Sequence, residues 1–587
     1  MYSQNSLSSQ LDQITSISLL EDLQSQDNKT KINAIHNLTN ISLALGCEAT
    51  RKELLPYLKN CINNEEEDEI LIELAKILSN FLTCIGGIKY INELLNIFEV
   101  ILSIDEPGIR KEAINSLKNI LNQIGNIKDI EKELMNLINK FYSSDDVNQK
   151  LSALNIIILV YQNLEESNKK TVINFLENFS NSNNLSIRKE LISELIKITK
   201  YLNIDIIKKF IDTLIKDENE NIKIDIINLI LSLKEHKDLL QIIDYIYDLI
   251  QKLSEDLNFK VRLSLINNLP EILNFPKITY NFKQLVLNIY IKFLEDNEDQ
   301  IRNACCLNLE EITKLLINEI NFNKLLQNLI KIAKDQKTFV RNSLAENIFK
   351  ICPLLNKKQL NEIIFPMFND LINDENFDIR INLINNIINL SKNSDLNNIN
   401  NFITDKIIPS IIEISQNKSW RIRHKIINII PNFVNQKNFM KDIFPICLNY
   451  LTDHVFDIRN EGSKLLCNIY KDMNNSEFEN KLIEKLNSMS NLTNYLIRNT
   501  CVIFIKYFIE KINEKIYFDF FQKKLIFLVY KLSNDKISNV RMNCAFILNK
   551  VKNCDFENKS NNDKIQKLID KLKKDDDRDV INIFNSN

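Results

Sequence analysis

The chain has 587 residues, of which 44% are hydrophobic and 26% are charged, and its formal net charge is −3. This is more apolar material than one compact core usually holds, so we expect several domains or a repeat array. The near-neutral charge gives no general attraction for nucleic acid or anionic lipid. Only 6 Gly and 9 Pro occur. So few turn-forming residues argue against a β-rich chain and predict an all-α fold.

We expect no targeting signal at the beginning of the chain, because no basic segment precedes an apolar core there. No apolar run approaches the roughly 20 residues of a membrane span. Most of the 11 Cys lie singly on helical apolar stripes, as Cys501 and Cys544 do, which is typical of reduced core residues. We expect a soluble cytoplasmic protein, with the nucleus as a further candidate location. Residues 1–10 are expected to be frayed.

A basic residue after an apolar one recurs along the chain at intervals of about 40 residues, the length of a two-helix HEAT repeat. The fifteen anchors of this pattern are Lys31, Leu71, Arg110, Lys150, Arg188, Lys223, Arg262, Arg302, Arg341, Arg380, Arg423, Arg459, Arg498, Arg541 and Ile581. The pattern predicts an all-α solenoid, a right-handed superhelix of about fifteen repeats. Residues 11–400 would form repeats 1–10, and residues 401–587 would form repeats 11–15, the last one truncated.

Repeat 11 shows the unit most clearly. Apolar residues recur at helical spacing before and after a polar turn that contains the only Trp, Trp420. Asn417 and Ser419 are residue types that cap helices. The two stripes consist of Ile403, Ile407, Ile411 and Ile414 in the first helix, and of Ile422, Ile426, Ile429, Ile430 and Phe433 in the second.

An Asp lies six residues before the anchor in many repeats: Asp217, Asp256, Asp296, Asp335, Asp374, Asp453, Asp535 and Asp575, with Asn417 at the equivalent place. Such an Asp can accept backbone N–H groups at the start of the second helix, or it can bind the basic anchor of an adjacent repeat. We predict a ladder of these ion pairs. The alternative is that each Asp only caps its own helix.

Three prolines, Pro366, Pro409 and Pro445, each lie fourteen residues before an anchor, inside a predicted first helix. A Pro there lacks the N–H of the helix ladder and clashes with the preceding turn, so these helices are expected to bend.

The chemistry-bearing residues form no catalytic pattern. His454 follows Asp453, but the Asp fits the repeat's turn position and no nucleophile accompanies the pair. The four His are scattered, no Cys-x-x-Cys occurs, and the six Gly form no phosphate-binding loop. We therefore predict no enzyme activity, no metal site and no cofactor.

Four strings resemble the scaffold (A, 65 kDa regulatory) subunit of protein phosphatase 2A: LALGCEATRKELLPYL at 43–58, KSWRIR at 418–423, LTDHVFDIR at 451–459 and NYLIR at 494–498. The resemblance implies that the turns of repeats 11–15 bind a Ser/Thr phosphatase catalytic subunit. Carried over residue by residue, these contacts would be Trp420, Arg421, His454, Val455, Phe456, Tyr495, Leu496 and Ile537, with Arg498 as support.

The same resemblance implies that turns in the N-terminal half bind interchangeable regulatory B-type subunits. The corresponding residues are Asp105, Glu106, Asn183, Leu185, Arg188, Lys189, Phe259 and Lys260. The family has Trp-Arg where this chain has Phe259-Lys260, and Asp-x-Pro where it has Asn183 and Leu185. Lys does not replace the planar, bidentate Arg in kind, so the preference among regulatory subunits is expected to differ.

The resulting hypothesis is a non-catalytic scaffold that assembles a phosphatase heterodimer or heterotrimer, with no nucleic acid and no membrane among its partners. One alternative is a karyopherin-like transport receptor or another HEAT adaptor. That receptor class normally has a longer chain and an acidic insertion within a repeat. A HEAT enzyme acting on DNA is disfavoured, because it would need a basic concave surface.

Overall fold

The structure is a computed structural model, and it describes residues 22–25, 27–393, 397–436, 438–473, 475–511, 513–552 and 559–585. The predicted frayed segment 1–10 lies outside these residues. Within them no β-strand occurs, so the all-α prediction is confirmed. The chain divides into two compact units, Met1–Ile289 (unit 1) and Tyr290–Asn587 (unit 2). In each, helices pair into HEAT repeats, which makes each an α-solenoid.

The helices that begin in unit 1 follow one another with short connections. The α-helices are Asn28–His36, Leu38–Leu45, Cys47–Ala49, Leu55–Asn64, Asp68–Ile77, Phe81–Cys84, Ile91–Ile101, Pro107–Ile124, Glu131–Ser143, Val147–Val160, Glu166–Ser180, Leu185–Ile198, Ile204–Leu214, Glu220–Ser232, Leu239–Ser254, Phe259–Leu273 and Tyr280–Phe293. A π-helical turn, Thr50–Leu54, and the 3₁₀ turns Leu78–Asn80, Ile88–Tyr90, Ile127–Ile130, Tyr161–Asn163, Thr199–Tyr201 and Leu233–Glu235 complete this set.

Unit 2 continues the same arrangement. Its further α-helices are Asp299–Leu307, Leu309–Leu316, Phe322–Ile332, Thr338–Ile351, Lys357–Gln359, Phe365–Ile372, Phe377–Asn393, Asn397–Phe402, Ile408–Ser415, Trp420–Ile429, Phe444–Tyr450, Phe456–Met473, Ser476–Ser490, Tyr495–Glu510, Lys515–Phe520, Ile526–Leu532, Ser538–Val551, Lys559–Leu572 and Arg578–Asn585. The π-helical turns are Leu360–Ile364, Ile403–Ile407, Phe439–Ile443 and Phe521–Leu525, and the 3₁₀ turns are Cys352–Leu354 and Ile430–Phe433.

The apolar stripes of repeat 11 form the core between its two helices. Of the nine residues that the periodicity selects, Ile403, Ile407, Ile411, Ile414, Ile426, Ile429, Ile430 and Phe433 are all buried. Ile422 is partly exposed, because it lies in the first turn of the second helix. Ser419 is the N-cap without a side-chain bond, whereas Asn417 Oδ1 accepts the Ser419 N–H at 2.8 Å.

The three prolines in first helices coincide with a change of helix type. Pro366, Pro409 and Pro445 each occupy the second position of an α-helix that directly follows a π-helical turn. A Pro cannot donate to the carbonyl four residues back, and its ring clashes with that turn. The wider π turn accommodates both defects. The sequence located the disturbance correctly but did not specify its form.

The predicted ladder of ion pairs is present. Several basic anchors of each unit bind the carboxylate in the turn of the next repeat, whereas Arg110 and Lys150 of unit 1 face Ser144 and Ser182, which have no carboxylate. The pairs are Lys31–Glu65 at 2.7 Å, Arg188–Asp217 at 2.6 Å, Lys223–Asp256 at 2.8 Å, Arg302–Asp335 at 2.6 Å, Arg341–Asp374 at 2.6 Å, Arg423–Asp453 at 2.8 Å, Arg498–Asp535 at 2.6 Å and Arg541–Asp575 at 2.7 Å. The alternative of purely local capping is wrong for these residues.

Each such pair, which we call a rung, also organises its own turn. Nη1 of Arg302 donates to the Asp296 carbonyl of its own repeat at 2.7 Å. Asp335 Oδ1, besides accepting from Arg302, accepts the Lys337 N–H at 2.8 Å. The guanidinium and the carboxylate therefore connect two successive turns through charge-assisted hydrogen bonds.

Two anchors of unit 2 bind other partners, for a reason visible in the next turn. Arg380 would face Asn417, which has no carboxylate, and it binds Glu413 at 2.6 Å instead. Arg459 would face Leu492, and its Nε donates to Thr500 Oγ1 at 3.0 Å.

The rungs make stability depend on pH. Burial raises the pKa of Asp217, Asp335 and Asp535, but bonds from arginine and from turn N–H groups outweigh burial and hold each pKa below its ordinary value of 3.8. A depressed pKa in the folded state means that this stabilisation is present above pH 3.8. It is lost as pH falls through the folded-state pKa.

We therefore expect the urea midpoint of unfolding to fall on acidification below pH 3.8. At neutral pH, Asp335→Asn should lower the unfolding free energy by about 1–3 kcal/mol, because it weakens a charged hydrogen bond. The variant should then lose less stability on acidification than the wild type. An equal acid dependence of both proteins would contradict the role of Asp335.

Gly462 permits a close contact between helix Phe456–Met473 and helix Phe444–Tyr450. A Cβ built on Gly462 would lie 2.8 Å from Cβ of the buried Tyr450, an atom fixed to the backbone. Gly462→Ala would therefore overpack this contact, and we expect it to lower the free energy of unfolding by an amount near the upper end of about 1–3 kcal/mol. That exceeds the ~1 kcal/mol by which Ala favours a helix over Gly.

The midpoint of thermal unfolding should therefore fall for Gly462→Ala. Gly108→Ala is the matched control, since its Cβ would meet nothing closer than 3.5 Å. An unchanged midpoint for Gly462→Ala would contradict the close packing of these two helices.

Candidate protein-binding surfaces

The C-terminal residues selected from the sequence lie in the turns of unit 2, at or near the start of second helices. We call them the C-terminal turn surface: Trp420, Arg421, His454, Val455, Phe456, Tyr495, Leu496 and Ile537. Trp420, Phe456 and Tyr495 are each the first residue of a helix. At this position the side chain precedes the apolar stripe, so helix pairing does not cover it.

This surface exposes large apolar side chains. The exposed fraction is 52% for Phe456, 38% for Tyr495, 42% for Leu496 and 36% for Ile537. Trp420 is partly exposed; its ring meets His424 edge-on at 6.4 Å. Grouped exposed hydrophobic residues are typical of protein interaction sites.

The ladder brings these turns next to one another. The Arg423–Asp453 rung, at 2.8 Å, connects the Trp420 turn with the turn of His454. The Arg498–Asp535 rung, at 2.6 Å, connects the Tyr495 turn with the turn of Ile537. Between these rungs, helices Phe456–Met473 and Tyr495–Glu510 pack side by side.

Arg498 has the supporting position that the resemblance implies. Its Nε and Nη2 bind Asp535, and its Nη1 donates to the carbonyls of Leu492 at 2.9 Å and Thr493 at 2.8 Å. The hydrogen bond to Asp535 raises the pKa of Arg498. This side chain orders the turn and leaves little of itself for a partner.

The carboxylate beside His454 is engaged within its own turn and with the preceding repeat. His454 Nδ1 lies 3.4 Å from Asp453 Oδ1, but the carboxylate is bound to Arg423 and to the Val455 N–H. Among the described residues, no group of His, Cys, Asp and Glu has the arrangement of a metal site. Burial raises the pKa of the Cys501 thiol to about 12, which makes it a poor nucleophile.

The residues selected in unit 1 lie in turns or near the start of the second helices that follow them. We call them the N-terminal turn surface: Asp105, Glu106, Asn183, Leu185, Arg188, Lys189, Phe259 and Lys260. Glu106 and Asn183 are exposed; Glu106 caps helix Pro107–Ile124 through the Gly108 N–H at 3.3 Å. Arg188 belongs to a rung with Asp217. Leu185 and Phe259 begin second helices.

A groove of about 760 Å³ brings some of these residues together. Asp105 and Lys189 both line it, with Glu190 and Asp225 on neighbouring helices. Burial raises the pKa of Asp225. Phe259 and Lys260 do not line this groove, and Lys260 pairs with Glu220 at 3.2 Å.

One exposed turn residue, Leu492, was missing from the sequence selection; it is 45% exposed in the Tyr495 turn of unit 2. In unit 1, Leu257 is 99% exposed in the same selected turn as Phe259 and Lys260. Leu492 had a detectable signal, because it occupies a position where other repeats carry Asp.

None of the described helices combines the length and the apolar character required to cross a bilayer.

Comparison with known proteins points to regulatory and helical-repeat proteins. Residues 207–489 match the family model described as PIK3R4-like, middle domain. The regulatory A subunit of protein phosphatase PP2A from Saccharomyces cerevisiae is 26% identical over 48% of this chain. The alpha isoform of the 65 kDa regulatory A subunit of phosphatase 2A from Arabidopsis thaliana is 31% identical over 24% of it.

These matches are partial. They span 40% of the yeast protein's length and 24% of the Arabidopsis protein's. Among solved structures, the crystal structure of Kap121p matches 92% of this chain and 57% of that one, with 14% identity and a TM-score of 0.57. That likeness concerns the fold. The chain is therefore a HEAT-repeat protein whose sequence is similar, over up to about half its length, to regulatory A subunits of protein phosphatase 2A.

Proposed function

We propose that this protein is a non-catalytic scaffold that joins a Ser/Thr protein phosphatase catalytic subunit to interchangeable regulatory B-type subunits, in a heterodimer or heterotrimer. The observation that carries the proposal is the C-terminal turn surface, in which exposed aromatic residues occupy successive turns. The sequence similarity to regulatory A subunits supports the identity of the partners.

The mechanism is an increase in effective concentration. A substrate held by a regulatory subunit on the same scaffold reaches the phosphatase without a second diffusional encounter. The scaffold itself carries out no chemical step, needs no cofactor and binds no metal. We also propose that it acts in the cytoplasm, with the nucleus as a second location, and that it binds neither nucleic acid nor membrane.

Regulatory subunits would bind the N-terminal turn surface. Exposed Leu185 and half-buried Phe259 offer apolar contacts, and Lys189 and Lys260 offer cations. Lys260 presents a point charge in place of a planar guanidinium, so it can bind a partner carboxylate in a wider range of orientations than Arg can.

The competing proposals are a karyopherin-like transport receptor and another HEAT adaptor. The fold, which Kap121p shares, is compatible with both, and the match to the PIK3R4-like middle domain supports another adaptor. Purification of the intact chain with its bound proteins separates the cases. A Ser/Thr phosphatase supports the scaffold, a small GTPase supports the transport receptor, and a partner of neither kind supports another adaptor.

Trp420→Ala should weaken the binding of the phosphatase catalytic subunit by at least about tenfold, since truncating an aromatic hot spot costs roughly 2–4 kcal/mol. The helical circular dichroism should stay unchanged, because Trp420 is partly exposed at the first position of its helix. Calorimetric titration of the full chain measures the loss.

Phe339→Ala is the matched control, since Phe339 is another exposed aromatic residue near the start of a second helix in unit 2, outside the C-terminal turn surface. It should bind normally. Normal binding by Trp420→Ala would remove Trp420 from the site.

Replacing Phe259 by Trp together with Lys260 by Arg should change which regulatory subunits are recovered with the scaffold. Arg can bind a carboxylate with two parallel hydrogen bonds, and Lys cannot. Quantitative mass spectrometry of the purified complexes measures the change, with Lys260→Arg alone as the partial variant. Recovery of the same subunits in the same ratio would refute a role for this pair in selection.

A further inference from the structure

One turn of unit 2 departs from the repeat in a way that stacking does not require. Six residues before the anchor, the residues of unit 2 are Asp296, Asp335, Asp374, Asn417, Asp453, Leu492, Asp535 and Asp575. Leu492 is the apolar member of this series, although the anchor that faces it, Arg459, is basic. In unit 1 the apolar Ile104 occupies the equivalent position, but its preceding anchor is Leu71, so no rung is lost there.

The departure changes the bonding of Arg459. Its Nη1 binds the carbonyls of its own turn, Asp453 at 2.8 Å and His454 at 3.1 Å, as in other repeats. Its Nε, however, donates to the neutral hydroxyl of Thr500 at 3.0 Å. A neutral acceptor gives a weaker bond to a guanidinium than a carboxylate does. Burial lowers the pKa of Arg459, whereas the carboxylate partner raises that of Arg541.

What the turn gains is apolar surface. Leu492 is exposed in the same short turn as Tyr495 and Leu496, which are exposed as well. Exposed Phe456 lies in the preceding turn and exposed Ile537 in the following one. An Asp at position 492 would place a charge in the middle of this apolar group.

Three exposed cations and one exposed carboxylate, Asp457, lie at the border of the same group. Lys418, Arg421 and Lys536 are exposed in these turns, and the ion pairs found among the described residues do not include them. The surface therefore complements a partner with an apolar centre and carboxylates at its edge.

We propose that Leu492 is a specificity-determining contact for the phosphatase catalytic subunit, and that it replaces an ion pair of the scaffold by apolar binding surface. This inference rests on the proposed function of the C-terminal turn surface. It adds a residue that the resemblance did not supply, and it states the chemistry of the partner's surface.

The test is Leu492→Asp in the full chain, because this one change should move two measurements in opposite directions. The new carboxylate can pair with Arg459, so the thermal midpoint should rise by at least about 1 °C. Binding of purified phosphatase 2A catalytic subunit should weaken at least about tenfold, because a charge enters the apolar centre. Leu492→Ala should weaken binding without raising the midpoint.

Leu257→Asp is the matched control, since it makes the same change in an exposed turn of unit 1 whose ladder position already holds Asp256. It should alter neither measurement. If Leu492→Asp binds within twofold of the wild type while Trp420→Ala binds poorly, the inference is wrong and the proposed function stands. If the wild-type chain does not bind the catalytic subunit, both are overturned. An unchanged midpoint for Leu492→Asp would overturn the claim that a rung was given up.

Discussion

The arrangement of the turns depends on one contact, the guanidinium that holds its own turn by a carbonyl and the next turn by a carboxylate. In the Arg341–Asp374 rung both side chains are less than a tenth exposed, so the pair is fixed in a nearly dry site. Burial of the two charges offsets much of their attraction. The rung therefore contributes less to total stability than the apolar stripes do, and its main effect is to set the register of one repeat on the next.

The register between successive repeats determines which exposed side chains lie next to one another on the surface. Because successive turns are connected by rungs, or by the packing of their second helices where a rung is absent, a residue at a given place in one turn lies beside its counterpart in the following turn. Aromatic residues at the first position of second helices thus form a group in unit 2, although tens of residues separate them in sequence. The buried apolar stripes do not include these aromatic residues, because each stripe begins further along its helix. An apolar group of this kind is stable in water only as a small patch, and a partner protein can cover it.

How far the sequence determines these features differs from one feature to another. Helical spacing identified the core of repeat 11, and the recurring Asp identified the ladder, because both are local patterns repeated many times. The switch of Arg380 to Glu413 followed from the missing carboxylate at Asn417, but choosing the new partner required three-dimensional neighbours. The groove lined by Asp105 and Lys189 could not be predicted from local sequence patterns either, because residues of several helices form its walls.

The fold alone does not distinguish a phosphatase scaffold from a transport receptor. Stripes and rungs are what any stack of two-helix repeats needs, so a TM-score of 0.57 with Kap121p at 14% identity reflects that shared need. Function resides in positions that stacking leaves free, or in those that depart from its rule. Leu492 is the clearest departure: a basic anchor faces a leucine in the middle of an exposed apolar group. We infer that a binding partner accounts for a leucine at a position where the other turns of unit 2 carry Asp or Asn.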